Sequence, residues 1–198
     1  MDISRETHER LKRYEAMLLD WQTRMNLVSR NTLETAWERH FEDSLQLLPL
    51  IPVGVKTWVD IGSGAGFPGL VMAICRPDIK VHLVESTGKK CAFLEAVSRE
   101  TGAGTIVHNG RIEAVSRETK IAPDVVSARA LANLGALLDY CAPWIARNPK
   151  LTLIFPKGQR WAEEVEDARK NWVFTLDTHK SATEPDSRIL VLSGVKKR

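Results

Sequence analysis

Apolar residues recur every three or four positions near the start of the chain, at Leu11, Tyr14, Leu18, Trp21 and Met25, with charges between them. That period predicts an amphipathic helix over 3–25. A second stripe follows Asn31, through Leu33, Trp37, Phe41, Leu45 and Leu48, and stops at Pro49 and Pro52. After Pro52 the pattern changes to short β-rich runs alternating with helical ones. Strands are expected at 57–61, 81–84, 105–107, 125–127 and 151–155, and helices at 69–75, 88–101, 131–146 and 160–170. Alternation of this kind builds βαβ units and a doubly wound, mostly parallel sheet, an α/β fold. Two last β-rich runs, near 172–177 and 188–194, have no helix between them and predict an antiparallel hairpin added to that sheet. The organisation expected is a helical cap over 1–52 and a sheet domain over 53–198, packed as one body.

Composition narrows this picture a little. At 198 residues the chain fits one domain with a small appendage. No apolar run approaches the ~20 residues of a bilayer crossing. The opening Met1-Asp2-Ile3-Ser4-Arg5-Glu6 lacks the apolar core of a secretory signal, so a cytoplasmic location is expected. Cys75, Cys91 and Cys141 are odd in number and widely spaced, as reduced core thiols would be. His82, His108 and His179 have no companions at metal-ligand spacing, so no metal is expected. Net charge is +3, yet residues 1–48 hold seven Lys/Arg against nine Asp/Glu. Total charge therefore permits a nucleic-acid partner without arguing for one. Nothing in it demands more than a monomer.

The strongest chemical signal is Asp60-Ile61-Gly62-Ser63-Gly64-Ala65-Gly66-Phe67-Pro68-Gly69, directly after the first expected strand. Glycines at a strand-to-helix turn let the backbone fold tightly and a ligand approach the main chain. Gly64, Gly66 and Gly69 spell a dinucleotide fingerprint. Gly62, Gly64 and Gly66 instead spell the turn of S-adenosylmethionine enzymes, with Asp60 as the acidic strand-end residue. Glu85, closing the second strand, serves the ribose hydroxyls of either ligand. The glycines alone do not choose. A hydride-transfer enzyme of this size commonly pairs a tyrosine with a lysine one helical turn on, but Trp144 stands four residues after Tyr140. Methyl transfer asks less of the protein, because the sulfonium is already activated and needs chiefly to be aligned.

The acceptor follows partly by exclusion. No proline precedes a cysteine, as the nucleophile for pyrimidine carbon 5 usually requires. The run Val126-Ser127-Ala128-Arg129-Ala130-Leu131 lacks the prolines of exocyclic-amine methyltransferases. Nitrogen 7 of guanine carries a free lone pair and needs no general base, so its site requires donors and clamps rather than an acid or base.

The glycine turn with its Phe67-Pro68-Gly69 sequel closely resembles the glucose-inhibited division protein B family of small-subunit rRNA guanine-N(7) methyltransferases. Similar stretches follow the family's order across nearly the whole chain: Asn26-Leu27, Arg39-His40-Phe41-Glu42-Asp43-Ser44-Leu45, Glu85-Ser86-Thr87-Gly88-Lys89-Lys90, Ser127-Ala128-Arg129-Ala130 and Lys157-Gly158. The resemblance implies a class I, Rossmann-like methyltransferase fold with an N-terminal helical cap, S-adenosylmethionine as cofactor, and a guanine of 16S rRNA, naked or in the small ribosomal subunit, as substrate. On matching positions it implies Gly62 and Phe67 at the cofactor, Glu85 on its ribose, Ile112 and Glu113 at its adenine, and Arg129 between cofactor and target base. Val28, where many relatives have threonine, and the acidic cap depart from the pattern.

From its strand-end position Arg129 is expected to donate to the target base or neutralise phosphate, against a structural ion pair with Asp124 or Asp139. Lys157, at the end of a later strand, is expected at a phosphate or the base, against a solvated turn lysine. Asn26, Arg39 and His40 are candidates for RNA contact, and Lys196-Lys197-Arg198 reads as a solvated tail. The six tryptophans read mostly as core. The two competing activities are methylation of a small molecule or protein, and a nonenzymatic role in ribosome assembly.

Overall fold

The computed structural model describes residues 3–198. Its seven strands are β1 Thr57–Ile61, β2 Lys80–Glu85, β3 Ile106–Asn109, β4 Val125–Ser127, β5 Thr152–Lys157, β6 Trp172–Lys180 and β7 Arg188–Lys197. They form one sheet in the order β3-β2-β1-β4-β5-β7-β6. The first five strands are parallel, and β7 and β6 are antiparallel additions. Chain order reverses at β1 and β4, so the carboxyl ends of these two neighbours open the crevice where such sheets bind ligands. The glycine turn leaves β1 there, and Arg129 leaves β4 there.

β1 is buried on both faces, as a central parallel strand must be, and its side chains serve two cores. Trp58 joins the cluster under the cap, and Val59 and Ile61 join the cluster on the opposite face. Helices α3 Gly69–Cys75 and α4 Gly88–Thr101 lie with the first cluster. Helices α6 Leu134–Arg147 and α7 Trp161–Ala168 lie with the second. A further helix, α5 Ile112–Glu118, escaped the sequence pattern. It is two turns long and buries only Val115 and Ser116, too few positions to show a period.

Helix α1, Arg5–Gln22, starts at Ser4, whose hydroxyl accepts from the Thr7 amide at 3.1 Å. It sinks Leu11, Tyr14 and Leu18 into the same cluster as Leu70, Phe93 and Val97, so cap and sheet share one core. Arg10 completes the junction by donating to the Thr101 and Gly102 carbonyls at the end of α4. The expected second helix is broken into pieces: a 3₁₀ turn Arg30–Thr32, a π-helical stretch Trp37–Glu42, the short α2 Asp43–Leu45, and another 3₁₀ turn Leu48–Leu50. A stripe spaced by four is compatible with all these windings, so the period did not separate them. π-turns recur at functional sites, and this one carries Arg39 and His40. The expected C-terminal tail is corrected too: β7 runs to Lys197, pairing with Trp172 of β6.

Candidate active site

A cleft of about 870 Å³ opens along the carboxyl ends of the strands. Of the residues singled out above, Gly62, Gly64, Phe67, Glu85, Ile112, Glu113, Arg129, Lys157, Arg39 and His40 line it. Three others do not. Asp60, near the end of β1, and Gly66, within the turn, are buried, and Asn26 lines a shallow pocket formed by residues 26–30.

The turn is held from both sides. Gly62, Gly64 and Gly66 all have positive φ, which places three left-handed residues within five. The Glu85 carboxylate accepts from the Gly64 amide at 3.0 Å and from the Thr87 amide at 2.8 Å, fixing the turn to the end of β2. Each oxygen keeps a lone pair for a diol. Asp60 is fully buried; Oδ1 accepts from the Ser127 hydroxyl at 2.6 Å across the β1–β4 register. Its Oδ2 has no hydrogen-bond partner among the described residues. Burial lifts its pKa to about 6, against the opposing effect of the Ser127 hydrogen bond.

Tyr14 holds the other side, and the sequence pattern gave it no such role. Its hydroxyl donates to the Ala65 carbonyl within the turn, while its ring stacks on Phe67 at 5.1 Å and meets Phe41 edge-on at 4.9 Å. The one available signal was a phenol hydroxyl in an otherwise apolar helical stripe. Tyr14→Phe strips that carbonyl of its donor in a buried place, a loss of about 1–3 kcal/mol. The expected result is a lower melting temperature together with roughly tenfold weaker cofactor binding by titration calorimetry. Unchanged affinity would separate the cap from the turn.

Arg129 ties the end of β4 to residues 39–43. Its Nη1 donates to Asp43 Oδ2 at 3.0 Å and to the Arg39 carbonyl at 3.1 Å, and its Nη2 lies 3.1 Å from His40 Nδ1. The guanidinium also sits over the Phe67 ring, 5.0 Å from its centroid. Its ion-pair partner is therefore Asp43 of the cap. Asp124 instead accepts from the Lys56 and Thr57 amides, and Asp139 pairs with Lys197 at 3.7 Å. Asp43 is a hub, for its Oδ1 accepts from Thr183 in the β6–β7 connection and from Gln46.

His40 must accept from Arg129 at Nδ1, which puts its proton on Nε2, facing the Thr32 hydroxyl at 2.9 Å. Burial first, then the Arg129 charge, lowers its pKa to about 4. The unfolded chain consequently takes up this proton first, and His40 withdraws stability as pH falls from about 6.5 towards 4. Above that window the contact to Arg129 is intact.

Lys157 is more occupied than its strand-end position suggests. Its ammonium sits 2.6 Å from Glu164 Oε2 and donates to the Ala132 carbonyl at 2.7 Å. Glu164 Oε2 in turn accepts from the Leu134 amide at the start of α6. This cluster fixes the loop that leads from Arg129 to α6, and one of the three lysine N–H donors remains for a ligand. His82 and His108, read as solitary, face each other at 2.9 Å across β2 and β3. Among the described residues no group of three His, Cys, Asp or Glu could hold a metal ion, and no helix is long and apolar enough to cross a membrane.

The chain as a whole has counterparts among known proteins. The profile of the GidB family, described as rRNA small subunit methyltransferase G, matches residues 7–189. The chain belongs to that family. The ribosomal RNA small subunit methyltransferase G of Rhizobium meliloti (strain 1021) is 47% identical over 99% of this chain and 93% of its own length. That of Rhodospirillum centenum is 47% identical over 99% of this chain and 88% of its own. Among solved structures, an O-methyltransferase from Bacillus cereus in complex with SAH covers 98% of the chain at TM-score 0.60 and 12% identity, with 92% of its own chain matched. The O-methyltransferase TomG from Streptomyces achromogenes, in complex with SAM, covers 92% at TM-score 0.58 and 14% identity, with 97% of its own chain matched. At those identities the likeness is one of fold, the class I methyltransferase sheet with its C-terminal antiparallel strands.

Proposed function

We propose that this chain transfers the methyl group of S-adenosylmethionine to ring nitrogen 7 of a guanine in 16S rRNA. Membership of the rRNA methyltransferase G family carries the reading, and the site geometry supplies its parts. The residues present suit the cofactor: a left-handed glycine turn whose Gly62 and Gly64 line the cleft, and beside it a strand-end carboxylate with free lone pairs. Gly62 and Gly64 would hold it along the turn, Glu85 would accept from its ribose, and Ile112 and Glu113 would flank its adenine. When bound, the cofactor supplies an electrophilic methyl group on a cationic sulfur.

The protein's own work is then positioning. Arg129 keeps Nε–H and one Nη2–H free after serving Asp43, Arg39 and His40, and it lines the cleft beside Phe67. These donors suit the acceptor edge of a guanine, whose N7 and O6 both accept. Lys157 keeps the loop behind Arg129 in place and offers its remaining donor at the rim. No general base is needed, which agrees with a cleft whose only histidine, His40, is tied on both ring nitrogens.

The test is primer extension on 16S rRNA after borohydride and aniline treatment, from cells with and without the gene. One 7-methylguanosine cleavage should vanish with the gene and return with the wild-type copy. An unchanged pattern would remove this substrate and send the search to small molecules and proteins.

A further inference from the structure

Five carboxylates line the cleft, an odd provision for a site that receives a polyanion: Asp43, Glu85, Glu113, Glu164 and Glu184. Three are already engaged by the fold. Glu85 holds the Gly64 and Thr87 amides, Glu164 holds Lys157 and the Leu134 amide, and Asp43 holds Arg129, Thr183 and Gln46. Glu113 belongs to α5, beyond β3, at the sheet edge opposite to the hairpin. Glu184 is left at the acceptor end. It lies in the connection between β6 and β7, just before Arg188, which pairs in register with Lys157. Its one ion-pair partner among the described residues is Arg39, and the two side chains are 41% and 43% exposed. Ion pairs exposed to this degree contribute little and exchange readily.

Guanine gives such a carboxylate a purpose. The edge carrying N7 and O6 only accepts, whereas N1–H and the 2-amino group on the far edge only donate. With N7 turned to the methyl donor, the donating edge points away from it, and one carboxylate can accept both hydrogens side by side. Adenine would present an acceptor nitrogen there and be repelled. The pairing also strengthens during reaction. The carbon–sulfur bond breaks with its electrons left on sulfur, the N7–carbon bond forms, no proton leaves, and the positive charge passes to the ring. Its N–H groups thereby become better donors to an anion.

We propose that Glu184 determines the specificity of the acceptor pocket, its carboxylate accepting from N1–H and the 2-amino group of the target guanine while Arg39 moves to an RNA phosphate. This rests on the guanine-N(7) reading above. The experiment compares kcat/KM on small subunits reconstituted with 16S rRNA bearing either guanosine or inosine, which lacks the 2-amino group, at the mapped position. The wild-type enzyme should favour guanosine about 10- to 100-fold. Glu184→Ala should bring the ratio to within about threefold of one, while Arg39→Gln keeps the wild-type ratio and raises KM. A wild-type ratio in Glu184→Ala, or its loss in Arg39→Gln as well, overturns the proposal. Failure of the wild-type enzyme to methylate the guanosine particle would instead overturn the reading on which it rests.

Discussion

Arg129→Ala is expected to lower methyl transfer to the target guanine at least about 100-fold, while the cofactor still binds within roughly tenfold of its wild-type affinity. The asymmetry follows from where the guanidinium reaches. Its contacts run to the cap, through Asp43, Arg39 and His40, and to the face of Phe67. The turn is held independently of it, by Glu85 at the Gly64 amide and by Tyr14 at the Ala65 carbonyl. Truncation leaves Asp43, only 17% exposed, with a charge answered by Thr183 and Gln46 alone. That should cost a few kcal/mol of stability, since one member of a largely buried pair is removed. Arg129→Lys keeps the charge but cannot reach three diverging acceptors with one ammonium, so little activity should return. Single-turnover rates on unmodified small subunits, with calorimetric cofactor titration alongside, separate the effects. Equal losses of rate and cofactor affinity would make Arg129 a part of the cofactor site only.

Much of this architecture was legible because the sheet is central and its strands are buried on both sides. Runs such as Trp58-Val59-Asp60-Ile61 and Leu153-Ile154-Phe155 declare themselves by continuous burial, and the glycines between β1 and α3 mark the turn. The late hairpin was readable from two β-rich runs with no helix between them. Its placement was not: the return strand β7, not β6, joins β5, and only long-range pairing decides that. The winding of residues 30–50 was hidden as well. Periodicity records which side chains face inward, and α, π and 3₁₀ turns can satisfy a spacing of four equally over a short stretch.

The site divides along the same line. Cleft-lining residues at or just past strand ends, such as Glu85 and Arg129, could be placed by counting from the strands. Partners that arrive from distant segments could not. Asp43 lies 86 residues from Arg129, and Thr183 lies 140 from Asp43. The run Arg39-His40-Phe41-Glu42-Asp43 held a usable hint, because positions 39, 40 and 43 fall on one side of a helical turn. The acidic balance of the cap counts charges without their partners: Asp43 pairs with Arg129, which follows β4.

Gly66→Ala should do the greatest damage to the turn, weakening cofactor binding at least about 100-fold and lowering the melting temperature by roughly 10 °C. Two independent penalties combine there. Its φ of +96° lies where an L-residue is strained, at about 1–3 kcal/mol. An added Cβ would also stand 2.7 Å from the Tyr14 hydroxyl and closer still to the Leu70 side chain, in a fully packed place. Gly54→Ala isolates the first penalty, since its φ is +86° and nothing lies within 4 Å of the new methyl. It should cost the strain alone and leave cofactor binding unchanged. Gly62→Ala is intermediate: its φ is +64°, and the new methyl meets only the branch end of Leu131, an exposed side chain free to swing away. The decisive comparison is the double variant Tyr14→Phe/Gly66→Ala. Removing the hydroxyl removes one of the two colliding groups, so the combined loss should fall short of the sum of the single losses by about 1 kcal/mol. Strict additivity would show that the cap phenol and the glycine turn are energetically separate, and the role given to Tyr14 would fall with it.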